Sequence, residues 1–460
     1  MKVVAVILAG GNGSRSGFSR PKQLVKLAGR PIIAHCLERF QSHPDINEIA
    51  VVTTEGCIND IESLVNRERL TKVRKVLMGG RERYESSLAA IRAYEALAKD
   101  EEIRLLFHDA VRPLVSHGTI TDVIEALKHY RAVDTAIGAA DTIIMSDGAT
   151  NTIREIPDRN LVRLGQTPQG FHYEVIKQAY ERAMLDRSFK TTDDCGVVLK
   201  YTPEEKIFIV EGSPSNLKLT YQDDLMVIDK FMQSNAGRRV SAEVETLALS
   251  ALKGKTMLVI GGTSGIGASL AELARAYGAE VVVAGRSTGT DVGNARSVSK
   301  CLDKVMAEHG RIDIIANTAA VLQRQPLSTM SIDDINESID TNIRGVVNLA
   351  RLSYDHLRQS RGHLLLFASS SYTYGRAFYS TYSASKAAVV NFAQALAEEW
   401  SDDSIKVNCV CPGRSRTPMR VKAFGSEPPA TLLEPIEVAR KVLGILVGQT
   451  TGLIFDIPNT

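Results

Sequence analysis

Met257–Arg286 reads MLVIGGTSGIGASLAELARAYGAEVVVAGR. Four apolar residues run into glycines at 261, 262, 265 and 267, an amphipathic stretch follows, and a second apolar run ends at Gly285 and Arg286. Strand, glycine turn, helix and strand in that order make the first βαβ unit of a doubly wound sheet. Clustered glycines behind a strand let backbone N–H groups face an anion with no Cβ in the way, and the helix N-terminus adds partial positive charge. Ala9–Gln23, AGGNGSRSGFSRPKQ, repeats the plan near the start of the chain, with Arg15 and Lys22 adding full charges.

On either side of these two loops, short apolar runs alternate with helical patterns: VVAVILAG, EIAVVTT, IRLLFHDA, DTAIGA and KIFIVEG in the first half, then TMLVIGG, AEVVVAG, IDIIANTA, HLLLFASS and IKVNCVCPG in the second. The alternation predicts an α/β architecture twice over, two doubly wound Rossmann-like domains. At 460 residues the chain exceeds what one hydrophobic core usually organises. A stretch at 237–252 that starts polar, with a glycine and two arginines, reads as a linker, leaving 1–236 and 253–460 as the domains. The surrounding sequences differ too much for an internal duplication.

A formal net charge of +2 gives no bulk reason to expect nucleic acid or an anionic membrane as partner, so anion binding must be local. The six cysteines are scattered, and the one close pair, Cys409 and Cys411, lacks the second pair of a zinc site and suits a buried strand. The opening MKVVAVILAGG is too short to span a bilayer and leads into a glycine loop rather than a cleavage site, so a cytoplasmic, reduced protein is expected.

In the second half, SSSYTYGRAFYSTYSASK spans 369–386, with Tyr382 and Lys386 four apart and therefore on one face of a helix. An ammonium beside a phenol favours the phenolate, so a lowered tyrosine pKa is expected here. Ser369 lies 13 residues before Tyr382 at the end of an apolar run. Together with the glycine spacing at Gly261, Gly265 and Gly267, the segments NTAA at Asn317, DTNIRG around Asn342, and CPGRSRTPM, this half resembles the short-chain dehydrogenase/reductases. The resemblance implies a nicotinamide cofactor held by Gly261, Thr263, Ser264, Gly265, Ile266, Gly267 and Asn317, with Tyr382 as proton donor, Lys386 beside it, Ser369 holding the substrate carbonyl and Asn342 in a proton relay. The pattern also departs from the family at Ile260, where threonine is usual, and at Ala320, the last residue of NTAA. Only about 30 residues separate the second strand from Asn317, so a helix and a strand of the usual fold are candidates for trimming. Asp291 in TDVGN is a candidate for the adenine side. With no carboxylate at Ala284 to receive a ribose 2′-hydroxyl, and Arg286 able to pair a 2′-phosphate, NADPH is the favoured cofactor. Beyond Pro412 and Gly413, where the family places its substrate lid, Arg414, Arg416, Arg420 and Lys422 point to a phosphorylated substrate, a solvated surface run being the alternative.

In the first half, LAGGNGSR followed by PKQ resembles the sugar-nucleotide pyrophosphorylases, and within them the cytidylyltransferases of the methylerythritol phosphate and ribitol phosphate type. The likeness continues through GGRERYESSL, FHDAVRP, DRNLVRLGQTPQGF and EGSPSNLKLTYQDDL, in order, over about the first 230 residues. It implies nucleotide contacts from Leu8, Ala9, Gly10, Gly11, Gly13, Gly80, Arg83 and Ser86. Asp109 would hold Mg²⁺ and meet substrate with Arg112, Arg159, Thr167 and Lys218, while Arg15 and Lys22 are the catalytic cations. Arg112 has a plainer alternative as the ion-pair partner of Asp109. His108 is read as structural, because a phosphate monoester is already a nucleophile and leaves no proton to take.

A carbonyl reductase for a phosphorylated substrate joined to a cytidylyltransferase implies consecutive steps. The whole layout resembles the bifunctional ribulose 5-phosphate reductases/CDP-ribitol pyrophosphorylases. That implies NADPH reduction of D-ribulose 5-phosphate to D-ribitol 5-phosphate, then CMP transfer from CTP to give CDP-ribitol and pyrophosphate for ribitol-containing capsule or teichoic polymers. The alternative keeps both chemistries but takes methylerythritol phosphate as acceptor, the reductase serving another pathway. Small-molecule substrates, no nucleic acid or membrane partner, and a homo-oligomer, dimer or tetramer, complete the expectation.

Overall fold

A computed structural model describes residues 1–11, 18, 20–80, 82–239 and 249–459. The chain divides into two compact units, Met1–Lys26 with Pro31–Ile228, and Asp229–Thr460 with Leu27–Arg30. The division falls within the helix Gln222–Arg239, and the linker expected at 237–252 lies largely outside the described residues.

In the first unit a seven-stranded sheet is built from β1 (Lys2–Ala9), β2 (Glu48–Thr53), β3 (Val73–Met78), β4 (Ile103–Asp109), β5 (Ala132–Gly138), β6 (Arg163–His172) and β7 (Ile207–Glu211). Their spatial order is β7-β5-β6-β4-β1-β2-β3. The sheet is mixed, because β6 runs antiparallel to both β4 and β5 while the remaining pairs are parallel. β1 is apolar at nearly every position because both of its faces are covered. Val3, Ala5 and Ile7 enter a core with α1 (Ile32–Gln41), α2 (Ile58–Arg67) and a later helix, His117–Ala126. The alternate residues Val4, Val6 and Leu8 enter a second core with α3 (Arg83–Ala93) and the helix Tyr173–Ala183. In chain order those later helices are α4 (His117–Ala126), α5 (Tyr173–Ala183), α6 (Asp194–Tyr201) and α7 (Gln222–Arg239).

The second unit is an all-parallel six-stranded sheet of β8 (Thr256–Ile260), β9 (Glu280–Ala284), β10 (Ile314–Asn317), β11 (His363–Phe367), β12 (Lys406–Pro412) and β13 (Ile454–Ile457), in the order β9-β8-β10-β11-β12-β13. Its helices are α8 (Gly265–Ala276), α9 (Ala295–His309), α10 (Ile332–Ile339), α11 (Gly345–Ser360), α12 (Ser380–Glu399), α13 (Pro418–Phe424) and α14 (Pro435–Val447). Leu258 and Ile260 face a core with α9, α11 and α12, and α8 packs with α14. Only α9 lies between β9 and β10, and among the described residues no strand pairs with the outer edge of β9. Consistent with an uncovered edge, Glu280 is exposed and Val281–Val283 are half-buried, whereas all of β8 is buried. Gly10 and Gly11 follow β1, Asp109 closes β4, and Gly261 and Ser369 follow β8 and β11, all at the carboxyl ends of interior strands, where doubly wound sheets bind ligands.

Candidate active sites

In the first unit β1 and β4 are neighbours in register, so that Leu8 pairs with Asp109, and the glycine loop leaves β1 beside that carboxylate. Leu8 and Ala9 close the strand, and Gly10 and Gly11 follow it; Gly13 and Arg15 lie outside the described residues. Gly10 is required by close approach: a Cβ there would stand 2.9 Å from Ser86 Oγ on α3. Gly80 precedes α3, which begins at Arg83 behind a Glu82–Glu85 capping box.

Asp109 is the centre of charge. Lys218 Nζ lies 2.9 Å from Asp109 Oδ2, Arg112 Nε 3.4 Å from the same oxygen, and Arg83 Nε 3.9 Å from Oδ1. Burial alone pushes the Asp109 carboxyl up, but Lys218, Arg83 and Arg112 together outweigh it and hold the group well below the usual carboxylate range. Lys22 Nζ donates to the Thr220 carbonyl at 2.8 Å, which brings it to the segment that carries Lys218.

Arg112 pairs with Asp109, the plainer of its two readings, and the other expected residues of this half have partners of their own. Arg112 is only 11% exposed at its side chain, and its guanidinium also donates to the carbonyls of Asn216, at 2.7 Å, and Gly165, so it ties three motifs together. Thr167, expected at the acceptor, is buried: its hydroxyl accepts from the Asp109 N–H at 3.2 Å and lies 2.9 Å from His108 Nδ1. His108 Nε2 faces the Arg112 carbonyl at 3.1 Å and so donates to it, leaving Nδ1 to accept from Thr167. Burial pulls the His108 pKa down to about 4, a neutral imidazole that braces the strand end, in keeping with the structural reading. The exposed Arg159 donates to the Ala140 carbonyl rather than to a group of the Asp109 cluster.

The sequence reading missed Asp194. Fully buried at the start of α6, it takes Arg83 Nη1 at 2.5 Å and the Tyr180 hydroxyl at 2.7 Å, and so fixes the arginine that faces Asp109. Its signal was the acidic pair in TTDDCG, where Asp193 caps the helix through Gly196 N–H. Asp109 suits a divalent cation that arrives with a triphosphate, since such an ion takes one carboxylate and fills its other positions with phosphate and water oxygens. Among the described residues no cluster of three or more His, Cys, Asp or Glu could hold a metal ion.

In the second unit a cavity of about 940 Å³ runs along the strand ends. Its floor is the glycine turn, with Gly261, Thr263, Ser264, Gly265, Ile266 and Gly267 all on the wall. Gly261 has φ +78°, and a Cβ there would stand 2.6 Å from Ala319 N, so the turn has room only for glycine. Asn317 pairs in register with Ile260, is buried, and accepts from Ala319 N–H at 3.3 Å, while Thr318 Oγ1 donates to the Ile260 carbonyl at 2.8 Å. These residues fit a dinucleotide laid across the strand ends, with its phosphates against the backbone N–H groups.

Ser369, Tyr382 and Lys386 line the same cavity. Ser369 leaves β11, and Tyr382 and Lys386 stand one turn apart on α12 with the Lys386 ammonium 5.5 Å from the phenol ring centre. Lys386 Nζ donates to the Phe367 carbonyl at 2.8 Å. The expected lowering of the phenol pKa is reversed: burial pushes Tyr382 up to about 12, with a Ser369 hydrogen bond acting the other way. Burial also brings Lys386 down to about 8. Asn342 sits in a π-helical turn, Asp340–Arg344, and its amide is engaged on both sides by Val321, accepting from the N–H and donating to the carbonyl at 2.9 Å each. Its side-chain amide is therefore a clasp on that loop.

The basic residues sort themselves by partner. Arg286 lines the cavity but pairs with Glu337 of α10 at 2.6 Å, and Asp291, also on the wall, accepts from Gly293 N–H at 2.9 Å. Arg414 and Arg420 line the cavity; Arg416 does not, and is bound to Glu434 at the surface. Arg420 makes a two-pronged pair with Glu427 at 2.7 and 2.8 Å and lies 3.9 Å over the Phe424 ring. Arg376 is a further cavity arginine that the sequence reading missed.

The comparisons with known proteins agree with both halves. Residues 3–234 match the 2-C-methyl-D-erythritol 4-phosphate cytidylyltransferase family and residues 255–427 the short chain dehydrogenase family. The bifunctional ribulose 5-phosphate reductase/CDP-ribitol pyrophosphorylase of Haemophilus influenzae is 42% identical over 99% of this chain and 96% of its own. The chain belongs to that bifunctional family. It is accordingly an enzyme with a cytidylyltransferase half and an oxidoreductase half, and its second half takes a nicotinamide cofactor. Within the family's first half, the 2-C-methyl-D-erythritol 4-phosphate cytidylyltransferase of Thermobifida fusca is 40% identical over 52% of this chain and 96% of its own. Among solved structures, the 3-ketoacyl-(acyl-carrier-protein) reductase of Brucella melitensis complexed with NADH covers 45% of this chain and 98% of its own, at 23% identity and a TM-score of 0.43. No helix among the described residues is long and apolar enough to cross a membrane, and all six cysteines are free.

Proposed function

We propose that the second unit reduces D-ribulose 5-phosphate to D-ribitol 5-phosphate with NADPH, and that the first unit transfers CMP from CTP to that product, giving CDP-ribitol and pyrophosphate. The observation that supports this most directly is the full-length likeness to one bifunctional relative, which spans both sites rather than either alone.

In the reductase site, a bound reduced nicotinamide supplies the hydride. Ser369 holds the substrate carbonyl oxygen by hydrogen bond, and the Tyr382 hydroxyl gives that oxygen its proton. A phenol raised by burial stays protonated at neutral pH and is a stronger acid than the alcohol it creates, so the transfer runs in the direction of reduction. Lys386 keeps positive charge next to the phenolate that remains.

In the transfer site, a phosphate oxygen of ribitol 5-phosphate forms a bond to the α-phosphorus of CTP while the bond to the departing pyrophosphate breaks. Both partners are anions, and Lys22, Lys218 and Arg15 lower the repulsion between them. Arg83, fixed by Asp194, and Ser86 beside Gly10 face the nucleotide. Mg²⁺ held by Asp109 would supply further charge compensation at the triphosphate. The working assignment of domains is 1–236 and 253–460, in a cytoplasmic homo-oligomer whose product feeds a ribitol-containing polymer.

Incubating the protein with ribulose 5-phosphate, NADPH, CTP and Mg²⁺ should yield CDP-ribitol by mass spectrometry, with one NADPH oxidised per product. Methylerythritol 4-phosphate in place of the pentulose phosphate should give no comparable product. Efficient CMP transfer to it, with no NADPH oxidation by ribulose 5-phosphate, overturns the reading.

A further inference from the structure

Four arginines line the reductase cavity, Arg286, Arg376, Arg414 and Arg420, and they are not equivalent. Arg286 and Arg420 already have carboxylate partners, Glu337 and Glu427. Among the described residues, neither Arg376 nor Arg414 makes an ion pair; Glu427, bonded first by Arg420, feels Arg414 only at longer range. Two arginines that line one cavity without a counter-anion are available for an anion brought by the substrate.

Both are anchored to the catalytic machinery by their main chains. Arg376 lies between Ser369 and Tyr382, and its N–H donates to Ser383 Oγ at 3.2 Å, next to the proton donor. Arg414 follows β12, and the Asn459 side chain grips it from both sides: Arg414 N–H donates to Asn459 Oδ1, and Asn459 Nδ2 donates to the Arg414 carbonyl, each at 2.8 Å. A third bond, from Asn459 Nδ2 to the Thr431 carbonyl at 3.2 Å, ties this grip to the segment after α13. Gly413 permits it, because Asn459 Oδ1 occupies the place a Cβ would take. Both arginines are exposed residues, and the Arg376 guanidinium lies 5.7 Å over the ring of Tyr374, a contact that leaves its N–H donors open to an anion.

We propose that Arg376 and Arg414 bind the phosphate of the reductase's substrate, and that Asn459 is the positioning residue that holds Arg414 in place. This rests on the reading of the substrate as a pentulose 5-phosphate, whose phosphate lies three carbons beyond the reacting carbonyl. A dianionic phosphate is the ligand for which two planar, fork-shaped donors are suited. Arg416, with its own surface partner, and Arg420, held by Glu427 and Phe424, have no part in it.

The test uses the full chain and compares D-ribulose 5-phosphate with D-ribulose. Arg376→Ala and Arg414→Ala should each raise the KM for ribulose 5-phosphate by about 10- to 100-fold, with kcat and the KM for NADPH changed far less. Neither should alter kcat/KM for unphosphorylated ribulose, so the preference for the phosphate collapses. Arg376→Lys should recover part of it. Asn459→Ala should act in the same direction by about three- to tenfold, again in KM and not kcat, a split that general loss of structure does not produce. Retention of the parent's phosphate preference in the Arg376→Ala, Arg414→Ala double variant overturns the proposal. A parent that does not reduce ribulose 5-phosphate overturns the substrate reading instead. The pocket then stands or falls on calorimetry with inorganic phosphate, in which the double variant should bind one phosphate fewer than the parent.

Discussion

Asp109 lies at the end of one sheet among Lys218, Arg112 and Arg83; Tyr382 and Lys386 lie at the end of the other, where among the described residues no carboxylate pairs with the ammonium, which donates to the Phe367 carbonyl. Both places are strand ends reached from a glycine turn, yet the charge is arranged oppositely. Around Asp109 three cations converge on one carboxylate, so the site keeps net positive charge for an anionic substrate. Around Tyr382 burial dominates, lifting the phenol to about 12 and bringing the ammonium down to about 8. The first arrangement suits chemistry in which charges are brought together without proton transfer, and the second suits chemistry in which a proton must leave a specific oxygen.

The sharpest way to break this contrast is to remove one group from each side. Tyr382→Phe takes away only the proton donor and should lower NADPH oxidation by roughly 10³-fold, while CMP transfer to supplied ribitol 5-phosphate stays at the parent rate. Asp109→Asn should do the reverse, lowering CMP transfer by about 10²-fold and weakening its Mg²⁺ dependence with no effect on NADPH oxidation. Parallel loss of both activities in either variant would mean that the two sites do not act separately.

A second difference is visible in pH. The ammonium of Lys386, with its pKa lowered to about 8 by burial, loses its proton as pH rises through that value. Reductase kcat/KM should therefore fall by about tenfold per unit at higher pH, if the positive charge beside the phenol is needed. CMP transfer should be level over the same range, because Asp109 is ionised throughout and the substrate phosphate, with a second pKa near 6, is already a dianion. Kinetics from about pH 7.5 to about pH 10 decide it, and a reductase profile level to the top of that range separates Lys386 from the proton chemistry.

Much of this was legible in the sequence because strand ends and glycine turns are local. β1 and β8 are apolar at every central position, and the residues immediately after them are where ligands bind. Three strands of the two sheets escaped notice: β13, only four residues long, and two whose pattern is blurred by their place in the sheet. β3 carries Arg74 and Lys75 because it is an edge strand, half-buried. β6 reads as a polar loop, RLGQTPQGFH, since Gln166, Thr167 and Gln169 are buried in hydrogen bonds rather than in an apolar core. The same limit holds for partners. Arg420 and Arg416 looked alike in the lid, and Glu427 and Glu434, which distinguish them from Arg414, are read as partners only once the chain is folded. Tyr382 shows the remaining case: spacing placed the lysine beside the phenol, but burial, which spacing does not report, sets the direction of its pKa.

The smallest expected effect concerns Arg286, where the two readings of cofactor choice meet. Its guanidinium is more than half exposed and already paired with Glu337, whose other oxygen accepts from Gln323 Nε2 at 3.0 Å. A 2′-phosphate must therefore compete with a carboxylate for the same donor, and an exposed, screened pair yields less than a buried one. Arg286→Ala should raise the KM for NADPH by about tenfold, the lower end of what a lost charge-assisted contact gives, with little change for NADH. Glu337→Gln should lower the KM for NADPH by about two- to fivefold, since it removes both the competitor and a negative charge from the phosphate's neighbourhood. Combining them should reproduce Arg286→Ala alone, because the effect of Glu337 passes through the arginine. An unchanged NADPH to NADH preference in Arg286→Ala would place the discrimination elsewhere on the cavity wall; additive effects in the double variant would mean that Glu337 repels the 2′-phosphate directly rather than by occupying Arg286.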